Sequence, residues 1–158
     1  MTSAFNLVDE PWIITRTPDN QVTDVSIRDA FHSATELKGL AGEIPTQEVA
    51  VLRLLLAIAM RATARERSDD EKIDDWGRWW DEGLPLDEIN SYLDAWHDRF
   101  NLFDDRAPFM QVADLRTAKG KYSGLVKIIS EVSPNDKFFT TRDGRGIASL
   151  SYAEAARW

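Results

Sequence analysis

Segment 135–149 combines the residue types that contact nucleic acid. Lysine and arginine side chains neutralise phosphate charge, phenylalanine rings stack on unpaired bases, and glycines let the backbone approach a phosphate closely. The candidate contact residues are Asn135, Lys137, Phe138, Phe139, Thr140, Thr141, Arg142, Gly144, Arg145 and Gly146. The same composition is typical of a flexible basic surface loop, and composition alone leaves both interpretations open.

Acidic pairs and histidines are the other residues with catalytic potential. Adjacent aspartates could hold magnesium in a metal-dependent hydrolase. In a helix, however, the side chains of adjacent residues point about 100° apart. Capping of helix ends, interaction with the helix dipole and solubility therefore explain these pairs better. The pairs are Asp69-Asp70, Asp74-Asp75 and Asp104-Asp105. His32 and His97 lack partners at metal-ligand spacing. With no Walker loop, dinucleotide fingerprint or nucleophile elbow, the sequence predicts no enzyme, no metal and no cofactor.

Charge is unevenly distributed along the chain. The formal net charge of -8 would repel nucleic acid if it were evenly spread. Residues 68–105, however, hold 13 acidic residues against three basic ones, whereas residues 116–145 hold seven basic residues against three acidic ones. This asymmetry is compatible with two different partners, with plain solvated faces, or with a protein-binding module whose acidic, tryptophan-rich middle docks a basic partner.

Composition also bears on the compartment. The chain has no cysteine, which excludes disulfides and cysteine-ligated metal sites and favours a reducing compartment, here the cytoplasm. The N-terminus has neither a basic lead nor an apolar signal core, so we interpret it as mature structure.

One apolar helix is predicted to position the other elements. Residues 45–67 are apolar on nearly every side until the arginines begin, which predicts a central helix buried by its neighbours, with Thr46 as the cap. A membrane span is the rival interpretation. Glu48 and Arg53 interrupt the apolar run well short of the roughly 20 residues that a bilayer requires, so we expect no membrane association.

Shorter elements are predicted on both sides of this helix. Turn residues between 12–16 and 21–25 predict an N-terminal β-hairpin, and Ser26 is placed to cap a short helix. Two tryptophan-bearing helices follow, the first capped by Ser68 with Glu71. Their stripes, predicted to be core, are Ile73, Trp76 and Trp80 in the first helix, and Leu86, Ile89, Leu93, Trp96 and Phe100 in the second.

The remaining chain is predicted to hold an ordered loop and two short helices. Loop 101–112 would anchor Leu102, Phe103, Phe109 and Met110 in the core, and a short helix would carry Leu125, Ile128, Ile129 and Val132. Residues 149–158 begin an amphipathic pattern that stops early, which predicts a piece of a longer protein. The fold class is therefore α+β, mostly helical, with a hairpin packed on a helical core in one partial domain, 1–158.

The ordered set of segments resembles a known family, CasA, the large subunit of the type I-E CRISPR surveillance complex Cascade. Single pieces are loose, but their order and spacing cover almost the whole chain. The matching pieces are 5–7 (FNL), 11–13 (PWI), 25–30 (VSIRDA), the leucine-rich helix at 51–59, the helix of Trp76 and Trp80, 99–103 (RFNLF) and 108–111 (PFMQ).

The resemblance implies a non-catalytic subunit of a crRNA-guided antiviral complex. Such a subunit helps recognise the protospacer-adjacent motif (PAM) of target double-stranded DNA, supports its opening and recruits a helicase-nuclease, and its partners are crRNA and the other Cascade subunits. It further implies that the chain is the front part of the N-terminal domain and lacks a C-terminal helical bundle. Asn135 and Phe138 match residues that precede a flexible family loop beside the 5′ end of the crRNA, here 140–149. The glycine loop and lysine that probe the motif would lie beyond Trp158.

Overall fold

The structure, a computed structural model, describes residues 4–64, 69–122, 124–129 and 149–158. These residues form a small antiparallel sheet and five α-helices, which confirms the predicted α+β class. The strands are β1 (Ile13–Arg16), β2 (Val22–Val25) and β3 (Gly39–Leu40), in the order β2-β1-β3. The helices are α1 (Ile27–His32), α2 (Pro45–Ala62), α3 (Asp69–Glu82), α4 (Leu86–Ala95) and α5 (Tyr152–Arg157).

The N-terminal hairpin and the first helix form as the local sequence predicts. Strands β1 and β2 pair antiparallel, with Ile13 opposite Val25. Ser26 caps α1 in a complete capping box, because its hydroxyl accepts from the backbone N–H of Asp29 at 3.0 Å while the Asp29 carboxylate accepts from Ser26. Strand β3 was not predicted, since two residues are too short to produce an alternating pattern.

The segment that precedes β1 joins the hairpin to the helices. The backbone N–H of Leu7 donates to the carbonyl of Phe100 at 3.0 Å, and the Leu7 carbonyl accepts from Ile27 at 3.1 Å. Leu7 and Val8 are completely buried. The hydrophobic core therefore lies where the sheet, α1, α2 and the end of α4 meet this segment.

Helix α2 is the predicted central helix, but only one of its faces is buried. Ile58 and Ala59 lie in the core, facing chiefly α4. The prediction of a helix buried by its neighbours therefore holds for one face and is wrong for the other, because apolar side chains recur on both faces while the described elements cover one. The exposed apolar residues of the other face are Val49, Leu52, Leu56 and Met60.

The beginning of α2 also differs from the prediction. Ile44 is the N-cap and Pro45 occupies the first helical position, where its missing N–H removes no helical hydrogen bond, so Thr46 is not the cap. The side-chain oxygen of Gln47 instead accepts from the backbone N–H of Glu43 at 3.1 Å. The described helix ends at Ala62. No described helix combines the length and the apolar character needed to cross a membrane.

Helix α3 has the predicted spacing but the opposite orientation. Trp76 is 49% exposed and Trp80 is 90% exposed, so their assignment to the core is wrong, as is that of Ile73. The helix turns Asp75 inward instead, with Trp79 half-buried beside it. Gly83 ends the helix at a φ of 98°, a conformation that glycine adopts without strain. The predicted cap, Ser68, lies outside the described residues.

Helix α4 and the loop after it are largely as predicted. Ile89 and Leu93 are completely buried and Phe100 is buried at the end of the following 3-10 turn, His97–Phe100. Trp96 is half exposed, because the α-helix ends at Ala95 and the chain changes direction there. The assignment of Trp96 to the core is therefore wrong.

The loop after Phe100 anchors most of its predicted residues. Leu102 is buried, Phe103 packs against Tyr152 at 4.6 Å between ring centres, and Phe109 stacks on Phe100 at 5.3 Å. Met110 is 84% exposed, contrary to the prediction. Its positive φ of 52° changes the direction of the backbone directly after Phe109, which packs against the core.

Candidate nucleic-acid interface

The predicted contact residues lie outside the described residues, in 130–148. They are Asn135, Lys137, Phe138, Phe139, Thr140, Thr141, Arg142, Gly144, Arg145 and Gly146. The structure therefore does not test their contacts, and their role stays a prediction. It does describe the chain on both sides of this segment, which determines where the segment begins and ends on the domain.

The chain enters the candidate segment from a buried residue. A short 3-10 turn, Leu125–Lys127, follows Gly124 where a longer helix was predicted. Ile129 is 1% exposed, whereas Ile128 lies at the surface. A buried isoleucine is therefore the last described residue before the segment. Val132, the last residue of the predicted helix, lies outside the described residues.

Helix α5 receives the chain on the other side of the segment. Ser151 caps the helix in a capping box, in which the Glu154 carboxylate accepts from the Ser151 N–H at 2.9 Å. Tyr152 contacts the rings of Phe5 and Phe103, with centres 5.8 Å and 4.6 Å apart. A six-residue helix is too short to be stable alone, so these contacts hold it in place.

The end of α5 is attached to the hairpin. The guanidinium of Arg157 donates to the carbonyl of Trp12 at 3.0 Å and lies 3.6 Å from the Asp24 carboxylate. The Arg157 side chain is only 10% exposed, so this charged hydrogen bond is stronger than a surface ion pair. Helix α5, which follows the candidate segment, is thus anchored on the hydrophobic core.

A tight turn at 117–121 and the short 3-10 turn after it present three exposed lysines before the segment. The Gly120 N–H donates to the Thr117 carbonyl at 2.8 Å, and the Thr117 N–H donates to the Lys121 carbonyl at 2.9 Å. Gly120 has a φ of 70°, as this turn requires. Lys119 and Lys121 lie in the turn, Lys127 follows it, and none forms an ion pair with the described residues.

These lysines were counted in the basic balance of 116–145 but were not recognised as contact candidates. The signal that identifies them is local, because Thr117 and Gly120 are turn residues that surround Lys119. Arg116 differs from the lysines. Its guanidinium donates to Asp114 at 2.7 Å and lies 5.1 Å from the ring centre of Tyr122, so its charge is largely committed within the loop.

Acidic residues and histidines hold structural roles in the described chain. His97 contacts the Asp9 carboxylate at 2.6 Å, and His32 contacts Asn90 at 3.2 Å. Asp104 accepts from the backbone N–H groups of Ala107 at 2.7 Å and Arg106 at 2.8 Å, and these bonds lower the pKa of its carboxyl group. Buried Asp75 pairs with Arg78. Among the described residues, no three potential ligands cluster to hold a metal ion.

A protein-family model and a curated relative both match nearly the whole chain. The family model described as CRISPR-associated protein Cse1 matches residues 6–158. A curated relative from Thermus thermophilus, CRISPR-associated protein CasA/Cse1, is 36% identical over 155 residues, which cover 97% of this chain and 30% of the relative.

Solved structures share the fold. Thermobifida fusca Cse1 is 42% identical with a TM-score of 0.83, and the match covers 98% of this chain and 29% of that one. A chain from a structure described as a CRISPR RNA-guided surveillance complex is 22% identical with a TM-score of 0.78. The match covers 98% of the present chain and 33% of that one, and at this identity it shows the fold alone. The present chain thus spans about a third of the length of these proteins or less.

Proposed function

Since the chain belongs to the family of the CRISPR-associated protein Cse1, we propose that it serves as part of a subunit of an RNA-guided antiviral surveillance complex. The observation that carries the proposal is the family match over 6–158, supported by a relative that is 36% identical. Its partners in the complex are crRNA and the other Cascade subunits. The complex acts in the cytoplasm.

Target double-stranded DNA is the proposed ligand of the candidate segment. Buried Ile129 is the last described residue before residues 135–149, the anchored helix α5 follows them, and the exposed lysines of the 117–121 turn precede them along the chain. Lysines without an ion pair in the described chain are suited to phosphate contacts, which position a duplex without reading its sequence. Pairing with the guide RNA then reads the target, while the protein contributes to recognition of the PAM and to recruitment of the helicase-nuclease.

The proposed role is non-enzymatic. His97 and His32 are held by Asp9 and Asn90, and Asp104 is held by backbone N–H groups, so these residues serve the fold. Charge, stacking and docking provide binding energy without breaking a bond. A metal-dependent hydrolase built on the paired aspartates would bind divalent ions. The non-enzymatic role predicts the opposite: titration of the full-length protein with Mg²⁺ in a calorimeter should give no specific heat of binding.

Reconstitution of the complex tests the proposal. The full-length product of this gene is expressed with the other Cascade subunits and crRNA, and purified by a tag on another subunit. We expect the protein and the crRNA to copurify, and the complex to bind a target duplex more tightly than the same complex without this protein. Failure to join the crRNA-containing complex, or an equal affinity for target DNA with and without the protein, would contradict it.

A further inference from the structure

One face of α3 exposes a stripe of large apolar side chains. Ile73, Trp76 and Trp80 lie at spacings of three and four residues and are 68%, 49% and 90% exposed. We call them the α3 stripe. Residues at this spacing share one side of a helix, so the three side chains form one continuous patch.

The orientation of α3 is determined by its opposite face. Asp75 on that face is buried and pairs with exposed Arg78, and Trp79, one turn further on, is half-buried. Turning the tryptophans of the stripe inward would move buried Asp75 and half-buried Trp79 to the surface. The exposure of the α3 stripe therefore follows from the inward direction of Asp75 and Trp79.

Exposed tryptophans of this kind are typical of protein interfaces. A fully exposed indole leaves a large apolar area in water, and tryptophan is among the residues that contribute most binding energy when a partner covers it. Single exposed apolar residues are common, but three on one helix face, including Trp80 with 90% of its surface in solvent, make a patch that marks an interaction site.

Charges around the stripe specify the partner. Exposed acidic side chains on α3 and at the start of α4 accompany the stripe; they are Asp70, Asp74, Asp81, Glu82, Asp87 and Glu88. Such a negative surface repels nucleic acid, and it also repels a second copy of itself in a symmetric contact. A basic protein surface is complementary to it.

We propose that the α3 stripe and its acidic neighbours dock a basic surface of another protein chain of the complex. That surface presents an apolar pocket for Trp80, surrounded by lysine or arginine side chains. Because the partner is sought within the complex, the inference rests on the proposed function. The docking surface differs from segment 135–149, so the docking proposal and the proposed DNA contact can be refuted separately.

Site-specific crosslinking identifies the occupant directly. The photoreactive residue p-benzoylphenylalanine replaces Trp80 in the full-length protein, and the reconstituted complex is irradiated and analysed by mass spectrometry. Trp80 makes almost no contact with the domain, so the change leaves the fold intact. The control carries the same residue in place of Val22, which is 57% exposed on a sheet strand away from α3.

The expected product joins position 80 to another protein chain, in a peptide where lysine and arginine outnumber aspartate and glutamate. The control position should not give that product. A crosslink to this chain's own sequence, to a second copy or to nucleic acid would overturn the inference, as would the absence of any crosslink in an intact complex. If crRNA fails to copurify, the proposed function fails and the inference fails with it.

Neutralising the charge provides a second test. Asp74→Asn combined with Asp81→Asn should reduce the yield of the crosslink about fivefold at low salt, since two surface ion pairs of ordinary strength are lost. The matched control combines Asp19→Asn with Glu36→Gln, which neutralise two exposed acids elsewhere on the domain. Equal yields in the two double variants would show that charge does not select the partner.

Discussion

Neutralising the lysine turn offers the clearest test of the proposed DNA contact. The change is Lys119→Gln with Lys121→Gln in the full-length protein, measured as part of the reconstituted complex. Both lysines are exposed and form no ion pair with the described residues, so their charges are available to phosphates. Glutamine keeps most of the side-chain length, and the turn itself is held by backbone hydrogen bonds of Thr117 and Gly120.

The size of the effect follows from counterion release. Each phosphate contact contributes about 0.9 to the slope of log K against log salt concentration, so losing two contacts should reduce the slope by about 1.8. Between about 50 and about 200 mM salt, the wild-type complex should therefore lose about 12-fold more affinity than the double variant. Stability should hardly change, because neither side chain is buried.

The assay is a titration of labelled target duplex at several salt concentrations. The matched control is Lys38→Gln, an exposed lysine beside the sheet that bonds Asn20 at 2.7 Å. We expect the control to keep the wild-type slope. The reasoning would be refuted by a double variant whose slope equals that of the wild type, or by a control that reduces the slope as much as the double variant does.

Three further predictions concern stacking, packing and pH. Phe138→Ala should weaken DNA binding by the complex by about 1 to 3 kcal/mol, the usual cost of a lost stacked base, and an unchanged affinity in the titration would exclude stacking. Leu93→Ala should lower the free energy of unfolding by about 2 to 5 kcal/mol in denaturant titrations because Leu93 is completely buried, whereas Trp80→Ala should change it by about 0.5 kcal/mol or less. Equal losses in these two variants would contradict the assigned orientations of α3 and α4. The backbone N–H groups of Ala107 and Arg106 lower the pKa of Asp104, so its contribution to stability is present above the ordinary value of 3.8 and is lost as the pH falls through the lower folded value. NMR titration of the Asp104 carboxyl should give a midpoint below 3.8, and a midpoint at or above it would contradict the bonding.

Local signals in the sequence predicted local structure well. Ser26 with Asp29 identifies the start of α1, and Gly83 identifies the end of α3, because capping and helix termination depend on a few adjacent residues. The hairpin likewise follows from strand residues on either side of a turn. Such features need no knowledge of the distant chain.

Burial was harder to predict than helix formation. The stripes containing Ile89 and Trp80 have the same helical spacing, yet Ile89 is completely buried and Trp80 is exposed. Periodicity shows which residues share a face, but the direction of that face depends on which neighbours the fold brings to it. An apolar face that binds a partner has the same pattern as one that faces the core. The core assignments of Trp96 and Met110 were wrong for a more local reason, since Trp96 lies just past the end of α4 and Met110 has a positive φ of 52°.

The candidate site was predictable only in part. The sequence singles out segment 135–149 as a candidate through its basic residues, phenylalanines and glycines, and the structure adds what lies on either side of it, buried Ile129 and helix α5. The attachment of Arg157 to Trp12 joins residues 145 positions apart, which no local pattern reveals. The exposed lysine turn was visible in the sequence as a charge balance. Its availability follows from the structure, in which Arg116 pairs with Asp114 whereas the lysines form no ion pair with the described residues.

Lysine acetylation of the reconstituted complex, with and without target DNA, tests the central claim most directly. Mass spectrometry reports the reactivity of each lysine under both conditions. We predict that Lys119, Lys121, Lys127 and Lys137 become protected when DNA binds, while Lys38 reacts equally in both states. Unchanged reactivity of all four lysines in a complex that has demonstrably bound DNA would contradict the assignment of this surface to nucleic acid.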